Sequence, residues 1–164
     1  MSPQFCPLCT RPLENKSCGD RIRQACACGF IHWNNPVPVV AALVIHGDAI
    51  VLARNTTWPP RRFSLITGFL EEGETPAQAV AREVGEELGL TSDTVAFIGH
   101  YIFAAQNQLI LAFAVNAVGT ICLGEEIAEV QLIPQVDLQP QHLAGLPLSA
   151  QIVGDWLATR GDTR

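Results

Sequence analysis

The stretch from Gly68 to Leu90, GFLEEGETPAQAVAREVGEELGL, contains a helix whose start and end are both marked by the sequence. Thr75 and Gln78 are spaced as a capping box, and Pro76 between them suits the first helical position. Gly89 supplies the left-handed backbone conformation at which many helices end. The sequence therefore predicts one helix that starts after Thr75 and stops before Gly89.

The two sides of this predicted helix differ in chemistry. Val80, Val84 and Leu88 recur at four-residue spacing and form an apolar stripe suited to a core. The other side carries one arginine and three carboxylates: Arg82, Glu83, Glu86 and Glu87. Each like-charged pair costs an isolated helix roughly a few tenths of a kcal/mol, so this face is poorly designed for simple solvation. Mg²⁺ prefers carboxylate oxygens, waters and phosphates as ligands, and the carboxylate face therefore predicts a metal site.

The spacing of these residues resembles the Nudix box, G-x5-E-x7-R-E-U-x-E-E-x-G-U, in which U is apolar. Gly68, Glu74 and residues 82–90 occupy its nine defined positions over 23 residues. A surface helix with a glutamate-rich outer face is the alternative interpretation, and a match at every defined position disfavours it.

The resemblance implies a role for each residue in the hydrolysis of a diphosphate linkage. Glu86 and Glu87 would hold Mg²⁺ or Mn²⁺, and Glu83 would hold metal or act as the general base. Gly68 would offer its backbone carbonyl to the metal, and Arg82 would orient the glutamates through charge-assisted contacts.

Residues outside the box complete the predicted site. Glu126 aligns with a downstream glutamate that often completes the metal cluster in such enzymes, and Glu125 is the alternative. Four further residues are predicted to contact the substrate, the aromatic ones by stacking on a base and the basic ones by reaching a phosphate: Trp33, Phe103, Arg61 and Arg62. Ordinary structural packing is the alternative for the two rings, and a solvated loop pair is the alternative for the two arginines.

Five of the six cysteines lie in the first 28 residues, which favours a metal site over disulfides in a reducing compartment. Cys6, Cys9, Cys26 and Cys28 approach the C-x2-C…C-x2-C pattern of a zinc ribbon, with the second pair one residue short. These four are the predicted Zn²⁺ ligands, and Cys18 is the alternative to Cys26. Four thiolates leave no open coordination position, so the zinc would be structural. Free thiols without a metal are the other interpretation.

The rest of the chain predicts a mixed sheet between helices, an α/β fold. Apolar and β-branched runs predict strands at residues 37–45, 49–53, 63–67, 94–104, 109–118 and 130–134, and residues 149–160 predict a closing amphipathic helix. Cys122 is predicted to be a small buried residue. The order of the predicted strands and helices resembles that of the Nudix-type α/β/α sandwich. The predicted domains are a zinc-ribbon-like cysteine cluster at residues 1–35 and a Nudix hydrolase domain at residues 36–164.

Length and charge limit the function classes. The chain has 164 residues, enough for one sizeable core with a small appendage. A net charge of −6 disfavours charge-driven binding to nucleic acid or anionic membranes. No apolar run approaches the length of about 20 residues that spans a bilayer, and the first residues lack the pattern of a signal peptide. The predicted compartment is the cytoplasm.

The resemblance implies a metal-dependent pyrophosphohydrolase that converts a nucleoside diphosphate derivative into a nucleoside monophosphate and a second phosphorylated product. The cysteine ribbon resembles a subgroup that includes bacterial NADH pyrophosphatases, but their SQPWPFPxS motif is replaced by HYIFAAQNQ at residues 100–108. The substrate therefore stays open among NADH, FAD, ADP-ribose, dinucleoside polyphosphates, oxidised nucleotides and an NAD-like RNA cap. A homodimer is common among the relatives that the chain resembles.

Two other function classes remain as alternatives. A non-catalytic Nudix regulator would sense nucleotides without cleaving them, and the complete box disfavours it. A zinc-ribbon adaptor would bind protein or nucleic acid, and the few basic residues near the ribbon disfavour nucleic acid.

Overall fold

The computed structural model describes residues 3–143 and 145–161. The chain divides into two compact units, Met1–Pro36 and Val37–Arg164. No described helix has both the length and the apolar character that a bilayer crossing requires.

The N-terminal unit contains a small antiparallel sheet. Its strands are β1 (Glu14–Cys18), β2 (Arg21–Ala25) and β3 (Ile31–His32), with β2 in the centre. Gly19 has a φ of 67° and allows the tight connection from β1 to β2. The buried apolar residues described in this unit are Cys6, Ala25 and Cys26. So small an apolar core is typical of domains that need a metal or a disulfide to stay folded.

The second unit is built on a six-stranded mixed sheet. Its strands are β4 (Val37–His46), β5 (Ala49–Asn55), β6 (Ile66–Phe69), β7 (Thr91–Phe103), β8 (Gln108–Val118) and β9 (Ile127–Pro134). The order is β7-β8-β4-β5-β9, and β6 pairs with the first half of β4. β4 and β8 are parallel, whereas the other neighbouring pairs are antiparallel.

Two helices cover the faces of this sheet, α1 (Pro76–Leu88) and α2 (Pro147–Gly161). Alternate side chains of β4 point to opposite faces, so the strand contributes to both cores. Val40, Ala42 and Val44 belong to the cluster that includes the apolar stripe of α1, and Val39, Ala41 and Leu43 belong to the cluster that includes residues of α2. The predicted α/β/α sandwich with a mixed sheet is confirmed.

The predicted limits of α1 are also confirmed. Thr75 accepts a hydrogen bond from the Gln78 backbone N–H while the Gln78 side chain accepts one from the Thr75 N–H, which completes the capping box. Gly89 ends the helix with a φ of 67°. Val80, Val84 and Leu88 are fully buried. Local sequence signals were sufficient to predict the limits of the helix because its capping hydrogen bonds each span four residues or fewer.

Two expectations were wrong. The third strand of the second unit was expected at residues 63–67, but β6 begins at Ile66 and contains Gly68. Before it, Ser64 makes only an isolated bridge with Ala53, after a loop in which two prolines cannot donate to a sheet. Cys122 was expected to be buried and is exposed, because it lies in the irregular connection between β8 and β9.

Candidate active site

The carboxylate face of α1 lines a cavity of about 600 Å³. The same cavity is bordered by Gly68 on β6 and by Gly124 in the connection that precedes β9. Six glutamates contribute to its lining: Glu71, Glu83, Glu86, Glu87, Glu125 and Glu126. The structure therefore brings together every residue for which the box and its downstream glutamate predicted a metal-binding role.

Arg82 organises this acidic cavity. Its Nε and Nη2 donate to the two carboxylate oxygens of Glu74 over 3.2 and 2.9 Å, and Nη2 also donates to the Phe69 carbonyl over 3.0 Å. Its Nη1 donates to Glu83 over 2.8 Å and to Glu86 over 3.0 Å. All five guanidinium N–H groups can thus be satisfied. Hydrogen bonds from Arg82 hold the pKa of Glu74 below its ordinary value, so Glu74 remains a charged anchor for the arginine.

Gly68 lies against the carboxylate of Glu83. A Cβ atom at residue 68 would lie 1.9 Å from the Cδ and one carboxylate oxygen of Glu83, well inside van der Waals contact. Glycine is therefore required here by the close approach of a side chain, and not by its own backbone angles.

We expect Gly68→Ala to displace the Glu83 carboxylate while leaving the fold intact, because the displaced group is the end of a flexible side chain. A displacement of about 1 Å in a catalytic group costs on the order of 100-fold in rate. Turnover and melting temperature should be measured together. The matched control is Gly85→Ala in the middle of α1, where a Cβ would meet its nearest neighbour at 3.7 Å and alanine favours the helix. A Gly68→Ala protein with wild-type turnover would contradict the predicted role of the Glu83 carboxylate.

The chain after β8 runs beside the end of α1 and delivers Glu126 to the cavity. The N–H of Cys122 donates to the Leu88 carbonyl over 2.8 Å, and the N–H of Gly124 donates to the Glu87 carbonyl over 2.9 Å. These bonds satisfy carbonyls that the helix end leaves without partners. A Cβ at residue 124 would lie 2.3 Å from a backbone carbonyl oxygen of α1, so only glycine permits this approach.

Burial and neighbouring carboxylates raise the pKa of two glutamates in this cavity, Glu83 and Glu87. Burial, and then the charges of Glu83, Glu126 and Glu86, raise the pKa of Glu87 to about 7. Burial also raises the pKa of Glu83, against the opposing contact from Arg82. Glu126 is among the causes of both shifts, and Glu125 is not, although both glutamates line the cavity. A cation would relieve this repulsion, and hard carboxylate oxygens suit Mg²⁺ or Mn²⁺.

A second cavity, of about 320 Å³, adjoins the acidic one and shares Val39, Thr67 and Gln108 with it. Its lining is mainly apolar and includes the rings of Trp58 and Phe103. Trp58 was not predicted from the sequence. The available signal was a tryptophan directly before Pro59 in the loop that leads to β6.

The predicted substrate residues are not all placed together. Phe103, 36% exposed, and Arg62 both line the second cavity, whereas Arg61 does not. Trp33 belongs to the N-terminal unit, is 53% exposed, and lies beneath the guanidinium of Arg23 at 4.9 Å from ring centroid to Cζ. Neither Trp33 nor Phe103 is a core residue.

The four cysteines selected from the sequence meet in the N-terminal unit. Their sulfur atoms all lie within 4.8 Å of one another, with 3.6 Å between Cys6 and Cys28 and 3.4 Å between Cys9 and Cys26. Four sulfurs bound at 2.3 Å to one tetrahedral zinc would be about 3.8 Å apart. Cys18 lies outside this group.

The thiols of this group also influence one another's ionisation. The backbone N–H of Cys28 lowers the pKa of Cys26 to about 7. The N–H of Arg11 acts in the same direction on Cys9, but the neighbouring Cys26 thiol, burial and the other sulfurs outweigh it and raise the pKa of Cys9 to about 12. One thiolate among four crowded sulfurs is a site that can bind a metal ion. Among the described residues, these four cysteines are the group whose ligand atoms lie close enough together to hold a metal ion. In the acidic cavity, by contrast, Glu83 and Glu86 each have one carboxylate oxygen hydrogen-bonded to Arg82.

The NUDIX domain family model matches residues 35–153. The chain belongs to the NUDIX domain family. The stretch from Gly68 to Leu90, which carries the acidic face of α1, is therefore the Nudix box of this chain, and the resemblance recognised in the sequence is confirmed.

Among curated proteins, the chain is similar to the NAD-capped RNA hydrolase NudC of Stutzerimonas stutzeri (strain A1501), with 31% identity over 88% of this chain and 50% of the relative. It is also similar to the protein of the same name from Deinococcus radiodurans, with 31% identity over 96% of this chain and 58% of the relative. The chain thus spans about half the length of these relatives.

Among solved structures, a NUDIX hydrolase from Nitrosomonas europaea superposes with a TM-score of 0.84 and 23% identity, covering 99% of this chain and 94% of that one. At this identity the likeness shows that the two proteins share a fold. That fold extends over the N-terminal unit as well as the Nudix domain.

Proposed function

We propose that this protein is a metal-dependent pyrophosphohydrolase that cleaves the diphosphate linkage of a nucleoside diphosphate derivative. The products are a nucleoside monophosphate and a second phosphorylated moiety. The observation that carries this proposal is the contact between two unlike cavities, one lined by six glutamates and one lined by aromatic and apolar side chains. The first suits a metal-bound diphosphate, and the second suits the base attached to it.

Within this proposal, Glu86, Glu87, Glu126 and the Gly68 carbonyl would hold Mg²⁺ or Mn²⁺, and Glu83 would hold metal or accept the proton of the attacking water. When bound there, a divalent ion would supply positive charge that offsets the phosphate charge and eases attack by water. Arg82 keeps Glu83 and Glu86 oriented toward the cavity through its Nη1 contacts. Glu74 in turn fixes the orientation of the Arg82 guanidinium by accepting hydrogen bonds from its Nε and Nη2.

The N-terminal unit has a structural part in this proposal. In the predicted division of the chain, residues 1–35 would be a zinc ribbon in which Cys6, Cys9, Cys26 and Cys28 hold one Zn²⁺, and residues 36–164 would be the hydrolase domain. A reducing compartment such as the cytoplasm keeps the thiols available for the metal. A homodimer stays a prediction.

The relatives direct the choice of substrates to test. Because these relatives are NAD-capped RNA hydrolases by name, NADH, NAD⁺ and an NAD-capped RNA should be tested first. FAD, ADP-ribose, a dinucleoside polyphosphate and an oxidised nucleotide should follow. Each should be incubated with Mg²⁺ and with Mn²⁺, and the products separated by chromatography. We expect metal-dependent release of a nucleoside monophosphate from at least one of them. Binding without release under every condition would favour the nucleotide-sensing alternative.

Phe103→Ala is expected to raise KM about tenfold or more with a smaller change in kcat. Stacking on an aromatic ring contributes roughly 1–3 kcal/mol per base and acts on the ground state and the transition state alike. The matched control is Phe97→Ala, another exposed aromatic residue on β7 that does not line this cavity. An unchanged KM with a lower melting temperature would show that Phe103 only packs. Trp33→Ala tests the corresponding prediction for the N-terminal unit by the same two measurements.

A further inference from the structure

We propose that the cavity around Trp58 is the base-binding subsite and that it accepts an uncharged heteroaromatic base, with Trp58 and Arg62 determining this preference. The inference deepens the proposed function and rests on it for one point, namely that the diphosphate lies in the acidic cavity. The cavity, its lining residues and the position of Trp58 are observed in the structure and do not depend on the proposed function.

Backbone hydrogen bonds position Trp58. Its N–H donates to the Asn55 carbonyl over 3.0 Å, and its carbonyl accepts from Nη1 of Arg54 over 3.1 Å. One residue of the same turn, Thr56, donates its N–H to the backbone carbonyl of Glu126 over 2.8 Å. The turn that carries the indole is therefore bound directly to the segment that carries the downstream glutamate.

Trp58 borders the apolar cavity and reaches the acidic one only through a smaller cavity that shares residues with it. Trp58 lines the apolar cavity of about 320 Å³ and also a small one of about 70 Å³. Glu87 and Glu126 line that small cavity and the acidic one, and Thr67 lines all three. A ligand whose base contacts Trp58 would therefore have its phosphates beside the glutamates.

The lining of the apolar cavity indicates the kind of base. Buried side chains from β4, β8 and α2 form an apolar surface: Val39, Ala41, Ile110 and Ile152. The carboxamides of Gln106 and Gln108 can both donate and accept hydrogen bonds, which matches the edge of a nucleobase. Both groups are neutral, so neither requires a charged ligand.

Arg62 disfavours a positively charged ring. Among the described residues that line this cavity, Arg62 is the one with a charged side chain, and its guanidinium lies 5.3 Å from the centroid of the Trp58 ring. A cationic ring stacked on Trp58 would compete with Arg62 for the same π-system and would be repelled by it. A neutral base can stack on the indole without that repulsion.

The test measures equilibrium binding by calorimetry in the presence of Mg²⁺, so that it does not depend on turnover. AMP and UMP serve as neutral-base probes, and ribose 5-phosphate serves as the matched probe without a base. We expect the wild-type protein to bind AMP or UMP more tightly than ribose 5-phosphate, and Trp58→Leu to reduce that preference about tenfold or more. Affinity for ribose 5-phosphate should be the same in both proteins. Equal wild-type affinities, or a base preference that survives Trp58→Leu, would overturn the proposal.

A second variant changes an exposed side chain and keeps the test decisive if Trp58→Leu does not fold. Nicotinamide mononucleotide, whose ring is cationic, should bind the wild-type protein several-fold more weakly than AMP, and Arg62→Gln should narrow that difference. A difference that Arg62→Gln leaves unchanged would overturn the role of Arg62. Base-dependent binding without hydrolysis of any substrate would retain this inference and reject the proposed function. Hydrolysis of a substrate together with base-independent binding would retain the proposed function and reject this inference.

Discussion

Replacing Glu87 by glutamine is expected to lower kcat by about two orders of magnitude or more while raising the melting temperature of the metal-free protein. Loss of a metal ligand removes charge stabilisation of several kcal/mol, and each ~1.4 kcal/mol corresponds to a factor of ten in rate. Stability should change in the opposite direction because burial and the neighbouring carboxylates raise the pKa of Glu87 to about 7. Its charged form is therefore unfavourable in the fold without metal.

The pH dependence gives this prediction a second measurement. Because the pKa of Glu87 is raised in the folded state, the cost of its charge grows as pH rises from its ordinary value of 4.5 to about 7, and is complete above that. The difference in melting temperature between Glu87→Gln and wild type, both in EDTA, should therefore be largest above pH 7 and vanish near pH 4.5. Glu86→Gln should lower kcat in the same way.

The matched control is Glu72→Gln, a glutamate of the same stretch that does not line the acidic cavity. It should change neither kcat nor the melting temperature in EDTA. Near-wild-type turnover of Glu87→Gln or Glu86→Gln at saturating Mg²⁺ would contradict the metal assignment. A Glu87→Gln protein that is less stable than wild type in EDTA would contradict the electrostatic account of the site.

Cys26→Ser is expected to abolish zinc binding and to unfold the N-terminal unit, because this unit has so few other buried apolar side chains. Structural zinc sites contribute on the order of 10–16 kcal/mol to the folding of small domains. Metal analysis of protein purified without chelator should give one zinc per wild-type chain and none for Cys26→Ser. Limited proteolysis should then cleave within residues 1–36 while the second unit keeps its own melting transition.

Cys18→Ser is the control for this experiment, since Cys18 lies outside the group of converging sulfurs. It should retain one zinc and the wild-type resistance to protease. Retention of zinc by Cys26→Ser together with its loss from Cys18→Ser would reverse the assignment of the fourth ligand. Absence of zinc from the wild-type protein would favour free thiols.

Much of the site could be predicted because its chemistry is local in sequence. The carboxylates and Arg82 follow helical spacing, and the limits of α1 depend on contacts within a few residues of Thr75 and Gly89. The cysteine pairs are likewise marked by their spacing, even though one pair is a residue short. Arg62 was predicted from its position just before the strand that leads into the box, and Phe103 from its position in the segment after the box. Both line the same cavity.

The parts that were overlooked depend on contacts between segments far apart in sequence. Trp58 lies in a loop without a periodic pattern of apolar residues. It lines a cavity together with residues of β4, β8 and α2, and its turn is bonded to the backbone of Glu126. Arg61 adjoins Arg62 in sequence, yet the positive φ of 68° at Arg61 accompanies a turn that leaves only Arg62 in the cavity. Neighbouring residues in a loop need not share a surface.

The sequence by itself determined the helix, its caps and its acidic face, since hydrogen bonds and charges along one helix depend on fixed spacings. It left Cys18 as an alternative to Cys26, and the tertiary structure decided between them because only Cys26 lies among the converging sulfurs. The box had already selected Gly68, but only the tertiary structure showed why glycine is needed there and that Gly124 is needed as well. Gly68 must lack a Cβ because a side chain from α1 occupies that space, and Gly124 must lack one because it approaches the backbone of α1. It also decided that the acidic cavity meets an aromatic one, because β4 and β8 bring Val39 and Gln108 into both. Such contacts follow from the packing of distant segments, which residue spacing does not encode.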